Sequence, residues 1–144
     1  YGNPRTAFGF EAKKRIMLGA YTLSSGYYDQ YYSKAQRVRT QIVDDFKKAY
    51  KDVDLIIGPT MPGIAPKLGV ADDSPMFGEL ADLLQEPSSI AGLCAVSIPC
   101  GFSEGLPVGV QLIGNFLEES TVLGAAHKYQ QATDFHIKLP KLED

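Results

Sequence analysis

The apolar positions recur at helical spacing in the first third of the chain. Over about residues 11–24, Ile16, Ala20 and Leu23 fall at i, i+4 and i+7 with Met17 and Tyr21 beside them, which predicts a helix stopped by Gly26. A longer helix is predicted over about 29–50. Tyr32, Ala35, Val38, Ile42, Phe46 and Ala49 form its stripe, opposite Lys34, Arg37, Gln41, Asp44 and Lys48. Asp44 and Lys48 stand in the favourable order for an i, i+4 pair. The period then changes. Val53-Asp54-Leu55-Ile56-Ile57-Gly58, closed by Pro59, reads as a buried strand of the parallel-sheet kind.

Residues 59–73 carry Pro59, Pro62, Gly63, Pro66 and Gly69 and read as loop. Asp73 or Ser74 as cap and Pro75 in the first turn begin a helix to about residue 85, ended by Pro87. One short turn is expected over 88–93. Two strands follow, at 96–99 and 108–113, with a hairpin at Gly105-Leu106-Pro107. A last helix over 118–133 bears Val122, Leu123, Ala126, Tyr129 and Gln130. Residues 1–10 read as a loose leading segment and 134–144 as a polar tail.

This order predicts an α/β fold, a partial mixed sheet flanked by helices. Three strands are few for so much helix, so further strands are expected on chain outside this sequence. The start at Tyr1 rather than Met reads the same way.

Length and composition narrow the class. The 144 residues fit one domain, and 44% hydrophobic with 22% charged residues is a globular balance that excludes general disorder. A net charge of −3 argues against a basic surface covering the whole chain. No apolar run reaches the roughly 18 residues of a membrane span, and no signal peptide opens the chain. Cys94 and Cys100 would stand roughly 20 Å apart on an extended run, too far for a disulfide. Such cysteines fit a reducing compartment as small hydrophobes.

Catalytic machinery is not visible in the residues themselves. His127 and His136 have no partners at ligand spacing, and no nucleophile elbow, phosphate loop or C-x-x-C occurs. The doublets Ser24-Ser25 and Ser88-Ser89 lack an evident base and read as turn or capping residues. Arg15, in a basic triplet with Lys13 and Lys14, lies one turn from a mid-helix Gly19 that could admit a close neighbour. Its guanidinium can grip a carboxylate through two parallel bonds. Asp82 shares a helical face with Glu79 and Glu86, an acidic solvent face by default.

Read as a string, the chain says more. It contains Phe8-Gly9-Phe10-Glu11-Ala12-Lys13-Lys14-Arg15-Ile16-Met17-Leu18-Gly19, then Gly26-Tyr27-Tyr28-Asp29-x-Tyr31-Tyr32. Asp54-Leu55-Ile56-Ile57-Gly58-Pro59-Thr60, Ala81-Asp82-Leu83-Leu84, Ile90-Ala91-Gly92-Leu93, Ser97-Ile98-Pro99-Cys100-Gly101-Phe102 and Gly105-Leu106-Pro107-Val108-Gly109-Val110-Gln111 follow in order. Together these resemble the amidase-signature family, and within it the glutamine-hydrolysing A subunits of tRNA-dependent amidotransferases. The tyrosine-rich run is the more specific match, and Gly-Leu-Pro-x-Gly is shared by amidases generally.

The resemblance covers nearly the whole chain and is to the last third of such a subunit. It implies a place in a large α/β/α fold whose Ser–cis-Ser–Lys triad lies on other chain. Pro87 and Ile90 flank Ser88-Ser89 where the family's signature has glycines, so no catalytic residue is expected here. It implies that Arg15 binds the α-carboxylate of glutamine and Asp82 its α-ammonium, with Lys14 departing from the family's Arg. The activity implied for the whole subunit is release of ammonia from glutamine. The partner B and C subunits would then use it to amidate Glu-tRNA(Gln) or Asp-tRNA(Asn). ATP and Mg serve that partner step, and no cofactor or metal is expected in this chain. A cytoplasmic or organellar location, without membrane, goes with that role. The alternatives are a fragment of another amidase-signature hydrolase of small amides, or a noncatalytic assembly module.

Overall fold

The computed structural model describes residues 8–24, 27, 31–69 and 77–140. The chain divides into two compact units, residues 1–41 and 42–144.

In the first unit, α1 (Phe10–Thr22) follows the predicted helical spacing and ends at Leu23, whose N–H reaches the Gly19 carbonyl. Gly26, the expected stop, lies outside the described residues. No α1 side chain is buried, and Phe10, Met17 and Leu18 of its apolar set are exposed. The tyrosine-rich segment packs ring on ring: the Tyr21 and Tyr27 centroids are 4.5 Å apart, and those of Tyr27 and Tyr31 5.9 Å. α2 (Ser33–Ala49) crosses the boundary between the units. Its charged face carries Lys47–Asp44 and Lys48–Asp45 pairs, both i, i+3. The expected Asp44–Lys48 pair is thus replaced, because Asp45 competes for the same ammonium.

The second unit is built on a three-stranded sheet of order β1-β3-β2: β1 (Leu55–Pro59), β2 (Cys94–Ser103) and β3 (Leu106–Gly114). The expectation of a parallel-sheet strand at β1 is not met. β1 pairs antiparallel with β3, Leu55 facing Gly114 and Pro59 facing Val110. A short continuous apolar run fits either direction, and Ile57 remains exposed rather than covered. β2 outruns its predicted ends. A bulge between Pro99 and Gly101 lets the strand continue to Ser103. Pro99 is tolerated because β2 is an edge strand of this sheet. Leu106 and Pro107 lie in β3, so the hairpin turns on Glu104 and Gly105 alone, both at positive φ (53° and 80°). That is the requirement of a type I′ turn, and glycine meets it without a Cβ clash.

Alternation along the strands separates the two faces. Leu55, Cys94, Val96, Ile98, Val110 and Leu112 point to α5 (Glu119–Ala132) and pack around buried Val122 and Ala126. Gly114 allows this approach, since a Cβ there would overlap Val122 Cγ2. The opposite face carries Ala95, Ser97, Gly109 and Gln111. Over it lies the segment of α3 (Phe77–Asp82) and α4 (Glu86–Ala91). Helices therefore cover both faces, the expected α/β layering. The third helix breaks at Asp82 rather than residue 85, and Pro87 sits in the first turn of α4 instead of only ending α3. Gly92, left-handed at φ 74°, ends α4. The expected caps Asp73 and Ser74 and first-turn Pro75 lie outside the described residues. A 3₁₀ turn, Phe135–Ile137, interrupts the expected polar tail.

Candidate functional site

Arg15 projects from the middle of α1 in the first unit. Its Nε donates to Glu11 Oε1 at 3.0 Å, and Lys14 Nζ donates to Glu11 Oε2 at 3.4 Å. All three side chains are at least half exposed. Glu11 stands one turn before Arg15, the better order for such a pair on a helix. The Arg15 guanidinium, with Lys14 behind it, holds the Glu11 carboxyl below its usual range. An exposed pair of this kind is weak and screened by salt, so an incoming carboxylate can exchange with Glu11. Among the described residues nothing lies within 4 Å of the Cβ that Gly19 lacks, so none of them accounts for that glycine as a close neighbour.

Asp82 is the last residue of α3 in the second unit, and it is exposed. It lines a recess of about 360 Å³ with Gln85, Glu86, Ser89 and Ile90. Two carboxylates, an amide and a hydroxyl make this recess suited to a cationic group with hydrogen-bonding neighbours. The turn is fixed from within, Gln85 N–H donating to the Asp82 carbonyl at 2.9 Å. Ser88 Oγ–H and Ser89 N–H both reach the Gln85 carbonyl.

Of the other residues singled out from the sequence, two serines and both cysteines have hydrogen-bond partners, and Ser25 lies outside the described residues. Buried Ser88 spends its hydroxyl on Gln85, and Ser24 donates to the Tyr21 carbonyl. Cys94 and Cys100 are free thiols, half-buried rather than buried; Cys94 donates to the Asn115 carbonyl and Cys100 to that of Val108. His127 and His136 are exposed. Among the described residues no group of three or more His, Cys, Asp or Glu could hold a metal ion. No helix among them is long and apolar enough to cross a membrane.

Sequence reasoning missed Gln111. It is buried in β3, and its Nε2 donates to the carbonyls of Pro59 (3.0 Å) and Leu84 (2.8 Å). Beside it Thr60 Oγ1 and Ser97 Oγ share a 2.6 Å hydrogen bond, in a smaller recess of about 160 Å³ reached by Gln85 and Ser88. The only signal was a polar residue inside an apolar strand.

Comparisons with known proteins bear on the family and the fold. The amidase family model matches residues 2–123. The chain is 52% identical over 134 residues to the A subunit of glutamyl-tRNA(Gln) amidotransferase from Thioalkalivibrio sulfidiphilus, covering 93% of this chain and 28% of that protein. It is 54% identical over 144 residues to the A subunit of the same enzyme from Picosynechococcus, covering 99% of this chain and 30% of that one. The crystal structure of the Thermotoga maritima A subunit superposes with a TM-score of 0.75 at 36% identity, over 95% of this chain and 31% of the other. The chain thus spans under a third of the length of these relatives. With its helices on both faces of the sheet and this likeness along nearly its whole length, the chain belongs to the amidase family.

Proposed function

We propose that this chain is part of the glutaminase subunit of a tRNA-dependent amidotransferase, and that it supplies the two charged anchors for glutamine. Arg15 takes the α-carboxylate and Asp82 the α-ammonium. The observation that carries the reading is the identity of more than half along nearly the whole chain with A subunits of glutamyl-tRNA(Gln) amidotransferase. The chemistry supports it: a free amino acid needs one cation and one anion, and an exchangeable Arg15 and a carboxylate-lined recess at Asp82 offer both. A neutral amide leaves those charges without partners, which favours the zwitterion.

The nucleophile and its base belong to the remainder of the subunit, so this chain alone binds without hydrolysing. In the full subunit glutamine yields glutamate and ammonia. The B and C subunits complete the enzyme, and the partner uses ATP and Mg to place the ammonia on glutamate or aspartate charged to tRNA. The bacterial cytoplasm or an organelle is the setting of that reaction.

Substrate competition by the full-length subunit, purified with its partners, tests this reading. Glutamine should be hydrolysed in preference to small amides that lack the α-amino and α-carboxyl groups. Equal turnover of a simple aliphatic or aryl amide would favour a general amidase instead.

A further inference from the structure

Gln111 is 6% exposed on the central strand of the sheet, where an uncompensated amide is costly. Both protons of its Nε2 are used. One goes to the carbonyl of Pro59, at the end of β1, and the other to the carbonyl of Leu84, in the turn between α3 and α4. The Leu84 carbonyl lies where helical hydrogen bonding is interrupted, since α3 stops at Asp82 and α4 starts at Glu86. It therefore needs a donor from elsewhere, and only an amide or a cation of this reach serves two carbonyls at once. The gripped peptide lies two residues beyond Asp82, within the turn closed by the Gln85 N–H to Asp82 carbonyl bond. β3, hydrogen-bonded on both sides, is the most constrained strand from which to hold that turn.

We infer that Gln111 is a positioning residue: its amide pins the α3–α4 turn to the sheet and so sets where the Asp82 carboxylate meets the ammonium of the substrate. The inference rests on the proposed role of Asp82 as the ammonium anchor. Gln111 touches no substrate itself. Its removal acts on binding through Asp82, while the rest of the second unit keeps its sheet and its α5 core.

The test uses the full-length subunit in its complex, with glutamine-driven and ammonium-driven amidation measured side by side. Gln111→Met keeps the volume and deletes both donors. It should raise KM for glutamine roughly 3- to 10-fold with kcat little changed, the scale of one or two neutral hydrogen bonds. Ammonium-driven amidation should stay at the wild-type rate, and amide hydrogen exchange at residues 83–86 should quicken. Placed in an Asp82→Asn background, Gln111→Met should add nothing, because the residue through which it acts is already disabled.

Should Gln111→Met prevent assembly, Gln111→Asn gives the same comparison; it keeps a buried amide but falls one methylene short of Leu84. An equal loss of glutamine- and ammonium-driven rates would reduce Gln111 to a fold residue and overturn the proposal. So would a KM increase that multiplies fully with that of Asp82→Asn. An unchanged KM in Gln111→Met, beside a raised KM in Asp82→Asn, refutes the clamp alone. An unchanged KM in Asp82→Asn refutes the reading of Asp82 and the clamp with it.

Discussion

Replacing Gly114 by alanine tests how the sheet and α5 are held together. Gly114 lies opposite both Leu55 and Cys94, and the added Cβ would overlap Val122 Cγ2 while standing 3.1 Å from Cys94 Sγ and 3.5 Å from the Glu118 carbonyl. Val122 cannot easily give way. It is the most buried of the core residues, at 2% exposure, and a β-branched side chain in a helix has one strongly preferred rotamer. The backbone at Gly114 does not have the positive φ that would itself strain an alanine, so the cost is purely one of packing. Overpacking of this kind costs about 1–3 kcal/mol, against roughly 0.5–1 kcal/mol returned by the lower chain entropy of alanine. The overlap with a residue as buried as Val122 puts the cost in the upper half of that range, so a net loss of about 1–2.5 kcal/mol is expected. Gly124→Ala is the contrast: it lies in the same α5, with none of the described residues within 4 Å of the new methyl, and should stabilise by roughly 0.5–1 kcal/mol. Urea unfolding of the two variants in one background reads both effects. Equal or greater stability in Gly114→Ala would refute the close packing of α5 on this strand.

Other outcomes follow from single contacts. Tyr50→Phe removes the 2.9 Å hydrogen bond from the phenol to the Ile113 carbonyl and should cost about 0.5–1.5 kcal/mol by urea unfolding. Burial, and then the nearby Cys94, push the Tyr50 phenol above its usual pKa, so its contribution to stability is complete below about pH 10 and is lost as pH rises beyond it. Tyr50→Phe should flatten that alkaline loss, and an unchanged alkaline profile would contradict the assignment. Glu104→Asn should stabilise the hairpin by a few tenths of a kcal/mol, because asparagine tolerates the positive φ at this turn position better than glutamate. Gly105→Ala should destabilise it by about 1–2 kcal/mol. The 144-residue chain by itself should show no glutaminase turnover. With α1 apolar side chains exposed and β1 and β2 as sheet edges, it should associate in light scattering at high concentration.

What the sequence reveals follows the range of the interactions. α2 and α5 are legible because an amphipathic stripe is written within a few turns of chain. The Glu104-Gly105 hairpin is placed nearly right because turn chemistry is local. Strand direction is not legible: Leu55-Ile56-Ile57 fits either sense, and its partner β3 begins some fifty residues later. β2 is cut short because Pro99 reads as a breaker until the strand is known to lie at an edge. Gln111 is invisible for the same reason, its two acceptors standing 52 and 27 residues away. Arg15 and Asp82 are marked by the resemblance rather than by physical pattern. By pattern alone each is an exposed charge on a helix, and such charges are common.

Amidation of charged tRNA by the full-length complex carrying Arg15→Ala or Asp82→Ala tests the proposed hold of these two residues on glutamine. With glutamine as nitrogen donor, kcat/KM should fall roughly 10- to 100-fold for either change, mostly through KM, the scale of one lost charge-assisted contact. Arg15→Lys should recover little, since an ammonium cannot reproduce the planar fork. With ammonium as donor, both variants should run at the wild-type rate, because that reaction bypasses the glutamine site. If the ammonium-driven rate falls as far as the glutamine-driven one, these residues hold the fold or an interface, and the account of the site is wrong.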